Sequence, residues 1–114
     1  MDEITTDKIA YVILLAREMG ADQPLRSARS ELREFLEGLD EDEKAGLIAL
    51  MWIGRETFAP EELPEAVRTA RAERGERPDD YLIAEPQLAD FLESGMEALG
   101  FSPEDETEAI LRPV

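Results

Sequence analysis

The sequence contains no cysteine and no histidine. Without cysteine the chain has no disulfide, no thiolate metal ligand and no cysteine nucleophile. Without histidine it has no imidazole ligand and lacks the usual near-neutral general base, which excludes Ser-His-Asp and Cys-His catalysis. It also lacks a Gly-rich phosphate loop, a nucleotide fingerprint and a nucleophile elbow. Many enzyme classes are thereby excluded, and the sequence predicts no catalytic residue, no metal site and no cofactor.

Basic residues are few. The chain has 12 Lys and Arg against 28 Asp and Glu, a formal net charge of -16. This charge opposes binding to nucleic-acid phosphates and to anionic membranes, and favours basic partners or cations. The residues Met1-Asp2-Glu3 are acidic where a signal peptide would be basic, so we expect a cytoplasmic protein. A preference for Arg over Lys, abundant Ala and the lack of Asn suggest a GC-rich bacterial coding sequence.

One stretch without charged or strongly polar side chains, AGLIALMWIG, ends at Gly54. It follows Asp40, a good helix N-cap, and Glu43, which can complete a capping box. A helix that is apolar on every side is normally buried on every side, and this one is far too short to span a membrane. The sequence therefore predicts a central core helix that begins at Glu41 and ends at Ile53, with Gly54 as its stop.

The rest of the chain also favours helices. Capping residues and helical spacing of apolar residues predict further helices over residues 7–19, 27–38, 64–74, 86–100 and 102–111. An acidic entry over residues 60–64 leads into the third of these, and a short turn of helix is expected at residues 77–83. Val12 and Ile13 would suit a buried strand, but the length of that segment and its capping signals favour helix. No alternating pattern or hairpin turn indicates a sheet. We predict an all-α fold: a compact bundle of about five to six helices in one domain, 1–114, whose last residues, 101–114, can fray.

The helix predicted over residues 7–19 is also apolar nearly all round. A small bundle has room to enclose only one helix completely, and the central helix takes that place. Part of the surface of this second helix is therefore expected to be covered by another chain, and a homodimer is the simplest hypothesis.

Several short motifs carry a resemblance to a known family. They are Phe35-Leu36 before an acidic cap, Leu50-Met-Trp-Ile-Gly-Arg55, Tyr81-Leu82 with Pro86, and Leu88-Ala-Asp-Phe-Leu92 closing on Leu99-Gly100. Together they make residues 32–100 resemble small, mostly alphaproteobacterial proteins described only as a domain of unknown function. The most specific motif runs from Trp52 to Arg55. It is followed here by Glu56-Thr57, where the family would have Gly-Asp. The resemblance implies an all-α fold and a bacterial origin, and it implies no catalytic residues.

Trp52 and Arg55 form the first candidate site, because they stand three residues apart at the end of the central helix. In a functional interpretation, Arg55 holds an anion or a partner's carboxylate and Trp52 forms an apolar wall or a cation-π neighbour. In a structural interpretation, Trp52 is core and Arg55 complements the negative end of the helix. We favour the structural interpretation.

The second candidate is the carboxylate pair Asp79-Asp80 beside Tyr81. Adjacent carboxylates can share a proton or a metal ion. Acidic residues after a proline are equally normal in the first turn of a helix, and we favour that explanation. A pocket that joined Trp52 and Arg55 to this pair would favour a functional site.

Two charge patterns remain. One is a run of arginines at steps of three: Arg68, Arg71, Arg74 and Arg77. This run could form an anion clamp, joined by the arginines at positions 26, 29 and 33 if the two helices pack side by side. Steps of three rotate by about 60° around a helix, so these four cannot share one face, and pairing with nearby acids is the preferred explanation. The other pattern is three acidic clusters, over residues 40–43, 61–65 and 104–108, which could bind a cation or a basic partner. Helix-start capping explains all three, and Ala45 at the sixth position rules out an EF-hand loop after Asp40.

The leading functional hypothesis is a small adaptor or regulator that acts through protein-protein contact. It depends on the missing catalytic chemistry, the excess of apolar helix surface and the acidity. The first alternative is a small-ligand binder or carboxylate-dependent enzyme with its site near Trp52, Arg55 and Asp79. The second alternative is a nucleic-acid mimic, which would need its acidic residues on one continuous face.

Overall fold

A computed structural model describes residues 3–19, 26–74 and 77–100. These residues form six α-helices and no strands, which confirms the predicted all-α bundle. Within these ranges, no helix has the length and apolar character that a membrane span requires. The predicted turn over residues 20–24 and the predicted helix over residues 102–111 lie outside the described residues. The helices are α1 (Thr6–Met19), α2 (Arg26–Glu37), α3 (Glu41–Gly54), α4 (Leu63–Arg74, preceded by the 3-10 turn Pro60–Glu62), α5 (Pro78–Ile83) and α6 (Leu88–Ala98).

Helix α3 is the predicted central helix. The Asp40 carboxylate accepts a hydrogen bond from the Glu43 backbone N–H at 2.8 Å, and the Glu43 carboxylate accepts one from the Asp40 N–H at 3.1 Å, so the capping box is formed. Every residue from Ala45 to Ile53 is buried, as expected for a helix without a polar face. Helices α4, α5 and α6 all pack against α3.

The other two helices complete the bundle. Helix α1 packs between α2 and α6, and α2 also contacts α5. The inner side of α1 is buried through Ile9, Val12, Ile13 and Leu15. One side of α1 thus joins the core, and its outer side is not covered by any of the helices described above.

The end of α3 differs from the prediction. Gly54 is the last residue of the helix rather than its stop, and Arg55 is the C-cap. The backbone N–H of Glu56 donates to the Ile53 carbonyl at 3.0 Å, and that of Thr57 donates to the Trp52 carbonyl at 2.8 Å. This is a Schellman motif, in which the residue after the cap adopts a left-handed conformation. That residue is Glu56, with φ of 68°.

We expect Glu56→Gly to stabilise the protein. Glycine adopts positive φ without the steric cost that other residues incur, and the resemblance described above also places glycine here. Because glycine also loses more conformational freedom on folding, the net gain in the free energy of unfolding should be about 0.5–1 kcal/mol. Urea unfolding followed by the fluorescence of Trp52 would measure it.

Glu56→Ala is the matched control, since it removes the same carboxylate without relieving the left-handed backbone. Its stability should not rise. An equal gain in both variants would instead assign the effect to the charge of Glu56.

Gly54 has another role, at the crossing of α3 and α6. A Cβ atom added at Gly54 would lie 1.7 Å from the Phe91 carbonyl oxygen, and one added at Gly95 would lie 2.4 Å from the Leu50 carbonyl oxygen. Both distances are far shorter than a carbon-oxygen contact allows. The two helices therefore approach each other closely because each carries a glycine at the crossing.

Candidate functional site

Trp52 belongs to the core, and Tyr81 is partly buried and packs against it. The Trp52 side chain is only 4% exposed, and its indole N–H donates a hydrogen bond to the Tyr81 hydroxyl oxygen at 2.8 Å. Phe58 stacks on the indole, with ring centroids 5.7 Å apart and an interplanar angle of 27°. Trp52 thus fixes the loop after α3 and the middle of α5 to the central helix, in agreement with the structural interpretation of this residue.

Arg55 lies at the surface, at the C-terminal end of α3. Its Nε atom donates to the Thr57 hydroxyl oxygen at 3.1 Å, and a terminal nitrogen lies 3.9 Å from a carboxylate oxygen of Glu85. A positive charge at this position also complements the negative end of the helix dipole. These contacts stabilise the turn after α3, and no aromatic wall forms part of them.

Asp79 and Asp80 pair with different cations. The Oδ1 atom of Asp79 is buried and lies 2.9 Å from Lys44 Nζ, in an orientation that gives an ion pair without an aligned hydrogen bond. Asp80 accepts a hydrogen bond from Arg33 at 2.9 Å, and both of these side chains are exposed. The two adjacent carboxylates therefore serve separate contacts, to α3 and to α2.

Substitution of these two acids should have unequal effects. The side chains of Lys44 and Asp79 are only 17% and 16% exposed, so Asp79→Asn would leave a largely buried ammonium group without its counter-ion. We expect a loss of about 2 kcal/mol in the free energy of unfolding, below the cost for a fully buried pair. Asp80→Asn breaks an exposed pair and should cost less than about 0.5 kcal/mol. Chemical unfolding of the two variants side by side would test the difference, and equal losses would contradict it.

Of two cavities near α3 in the described part of the chain, one is lined by none of the predicted site residues and the other by Asp79 and Asp80 alone. A small cavity of about 150 Å³ lies between α3 and α4, with an apolar lining from Ala45, Ile48 and Ala70 and with Lys44 and Arg71 at its edge. A second, polar cavity borders the Lys44–Asp79 pair from the side of α5. Neither cavity is lined by Trp52 or Tyr81. Arg55 stands about 16 Å from Lys44 along α3, at the other end of the helix.

One member of the arginine run pairs with an acid of another helix. Arg71 donates to Asp42 at the start of α3, while Arg68 and Arg77 are exposed. Arg33 of α2 turns to Asp80, and α2 packs on α1 and α5 whereas α4 packs on α3. One member of each set, Arg33 and Arg77, lines the same polar cavity beside Asp79 and Asp80, while Arg71 is paired with Asp42. The side chains of residues 26 and 74 lie outside the described part of the chain.

The acidic clusters serve mainly at helix starts. Asp40 and Glu43 form the capping box of α3, and Glu62 accepts a hydrogen bond from the Ala59 backbone N–H before α4. Among the described residues, no group of three acidic side chains is arranged to hold a metal ion. The cluster over residues 104–108 lies outside those residues.

A surface feature appears on the outer face of α1. Tyr11 is 40% exposed and Leu14 is 54% exposed, and no other large hydrophobic side chain in the described residues is as exposed. The Tyr11 ring meets the edge of Phe35 on α2, with centroids 4.9 Å apart at 75°. We name these three residues the α1 patch. The apolar character of α1 predicted an uncovered surface, but which residues form it depends on how α1 docks.

The basic side chains of α1 point toward the bundle, whereas the acidic side chain of Asp7 is exposed. Lys8 pairs with Glu43 of α3, and Arg17 pairs with Glu93 of α6, so both cations turn toward the bundle. The hydrogen bond to Glu43 raises the pKa of Lys8. Asp7 is exposed, and a hydrogen bond from the Thr5 hydroxyl lowers the pKa of its carboxyl group. The α1 patch is thus bordered by a carboxylate and not by the lysine next to it.

The sequence matches one described family. The profile of a family described as "Protein of unknown function (DUF3775)" matches residues 29–101, more than half of the chain. No curated protein and no solved structure matches the chain. The matched segment includes α3, α4, α5, α6 and most of α2, and it begins after α1.

Proposed function

The chain belongs to the family of proteins of unknown function DUF3775, and we propose that it is an adaptor or regulator that acts by binding another protein. The observation that carries this proposal is the α1 patch, where Tyr11 and Leu14 present apolar surface to solvent. Exposed aromatic and aliphatic side chains in one patch are typical of protein-protein contact sites. The patch lies mainly on α1, before the segment that matches the family.

The packing of the other predicted site supports the same conclusion. A ligand or catalytic site normally joins several polar groups around one concave pocket. Trp52 packs against the rings of Phe58 and Tyr81, and Asp79 forms an ion pair with Lys44 at 2.9 Å. These side chains stabilise the fold, so the proposal does not use them as ligand contacts.

A nucleic-acid mimic is less well supported than an adaptor. A mimic would need its carboxylates on one continuous face. Three of the four acids at the start of α3, Asp40, Asp42 and Glu43, are instead bound in the capping box or paired with Lys8 or Arg71. Charge alone therefore does not favour this alternative.

A homodimer through the α1 patch is the second candidate. Tyr11 and Leu14 favour it, because a second copy would remove their apolar surface from water. The net charge of -16 opposes it, because self-association brings like charges together. A bacterial origin and a cytoplasmic location remain parts of the proposal, the first supported by the Arg-rich, Asn-free composition.

Affinity capture from a lysate of the source cell would test the proposal. We expect a near-stoichiometric partner on the wild-type protein, retained at high salt because the contact is largely apolar. Leu14→Ser should lower its recovery at least fivefold, which corresponds to a loss of about 1 kcal/mol in binding free energy.

Ala72→Ser is the control for this capture. Ala72 is exposed on α4, which packs mainly on α3, whereas α1 packs mainly on α2 and α6. Its recovery of the partner should equal that of the wild type. A partner that both variants retain equally would contradict a contact through α1.

A further inference from the structure

The geometry of α1 indicates what kind of surface covers the patch, provided that the proposed function holds. Asp7, Tyr11, Leu14 and Glu18 follow one another at steps of four, three and four residues. That spacing places all four on one side of a helix, and all four are exposed. The outer face of α1 therefore presents two apolar side chains between two carboxylates.

Helix α2 extends this pattern. Phe35, which contacts Tyr11, stands one turn after Glu31, so Glu31 lies on the same side of α2 and is exposed. Arg29 and Arg33 lie on the other side of α2, because each is about 200° around the helix from Glu31. Arg33 pairs with Asp80, and Arg29 lines a groove together with Ile83 and Glu85.

The cations of α1 do not offset these acids. Lys8 and Arg17 are directed to Glu43 and Glu93 of the bundle. Among the described residues, three exposed carboxylates therefore lie on the same side of α1 and α2 as the α1 patch, on Asp7, Glu18 and Glu31. A partner that covers Tyr11 and Leu14 brings its own flanking side chains next to these carboxylates.

We infer that the α1 patch binds a partner helix that carries apolar residues flanked by Lys or Arg. A helix matches the straight apolar stripe of α1, and its basic ends meet the carboxylates of Asp7, Glu18 and Glu31. A second copy of this chain fits less well. In an antiparallel α1 pair with Tyr11 opposite Leu14 of the other copy, Asp7 would face Glu18.

Two synthetic peptides provide the test. Both are helical and carry one leucine stripe, and they differ only in having lysine or glutamate at the flanking positions. Titration of each into the full chain, followed by calorimetry, gives the dissociation constants. We expect the lysine peptide to bind and the glutamate peptide to bind at least tenfold more weakly, with the difference shrinking as salt is raised.

Single substitutions show which part of the surface the lysine peptide contacts. Leu14→Ser should weaken binding of the lysine peptide at least fivefold, and Glu18→Gln should weaken it about threefold. Glu65→Gln removes the same charge from an exposed position on α4 and should leave the dissociation constant unchanged. Circular dichroism would establish that each variant is folded.

The outcomes separate this inference from the proposed function. If both peptides bind equally and Leu14→Ser weakens both, the inference that the partner carries basic flanking residues is wrong. The proposed contact through α1 would still be supported. Binding that Glu65→Gln weakens as much as Glu18→Gln would overturn the inference, because it would reflect net charge alone. Absence of binding together with self-association lost in Leu14→Ser would overturn it in favour of a homodimer.

Discussion

Gly54→Ala should lower the free energy of unfolding by about 3 kcal/mol or more. The added methyl group would lie 1.7 Å from the Phe91 carbonyl oxygen and 2.9 Å from the Gly95 backbone nitrogen. Backbone atoms of a packed helix cannot move away singly, so α6 as a whole would have to shift from α3. Alanine favours a helix over glycine by about 1 kcal/mol, which offsets only part of this cost. Urea unfolding followed by circular dichroism would measure the loss.

Gly95→Ala should have a similar effect from the other side of the same crossing, since its Cβ would lie 2.4 Å from the Leu50 carbonyl oxygen. Gly38→Ala is the matched control. Its nearest neighbour would be 3.5 Å away, an ordinary contact, so stability should change by less than about 1 kcal/mol. Equal stability of Gly54→Ala and Gly38→Ala would contradict the close packing of α3 and α6.

Trp52→Ala should cost about 3–5 kcal/mol, a large part of the stability of a small domain. The indole is almost fully buried and contacts Phe58 and Tyr81. Its removal leaves a cavity beside α3 and frees the loop that follows the helix. Because the chain has one tryptophan, circular dichroism rather than fluorescence has to follow the unfolding of this variant.

Tyr81→Phe separates packing from hydrogen bonding at the same place. It keeps the ring but removes the hydroxyl that accepts from the Trp52 indole N–H at 2.8 Å. We expect a loss of about 1–2 kcal/mol, because the indole N–H is then left buried without this acceptor. These values assign more of the stability to the packing of the indole than to its hydrogen bond. A Tyr81→Phe variant as unstable as Trp52→Ala would contradict this assignment, and so would a Trp52→Ala variant as stable as the wild type.

The sequence predicts the features that depend on neighbours along the chain. Asp40 and Glu43 are three residues apart, so the capping box of α3 follows from local geometry, and the burial of α3 follows from its lack of a polar face. The start of α5 at Pro78 has the same local origin. The spacing of apolar residues likewise predicts the remaining described helices to within a few residues at their ends.

Features that depend on distant residues could not be predicted. Gly54 looked like a helix stop, because nothing in its sequence shows that the Phe91 carbonyl lies against it. Asp79 and Asp80 look equivalent in the sequence, yet one pairs with the largely buried Lys44 and the other with exposed Arg33. The sequence grouped Trp52, Arg55, Tyr81 and the Asp79-Asp80 pair as one possible site. Trp52 and Tyr81 do meet, through a hydrogen bond, whereas Asp79 pairs with Lys44 near the start of α3 and Arg55 lies at its end.

Photo-crosslinking in the source cell tests the central claim most directly, that α1 binds another protein. A photo-reactive residue would replace Leu14 in one variant and exposed Ala72 in the other. We predict a defined adduct with a second protein from position 14 and none from position 72. Absence of an adduct at position 14, or the same adducts from both positions, would contradict the account.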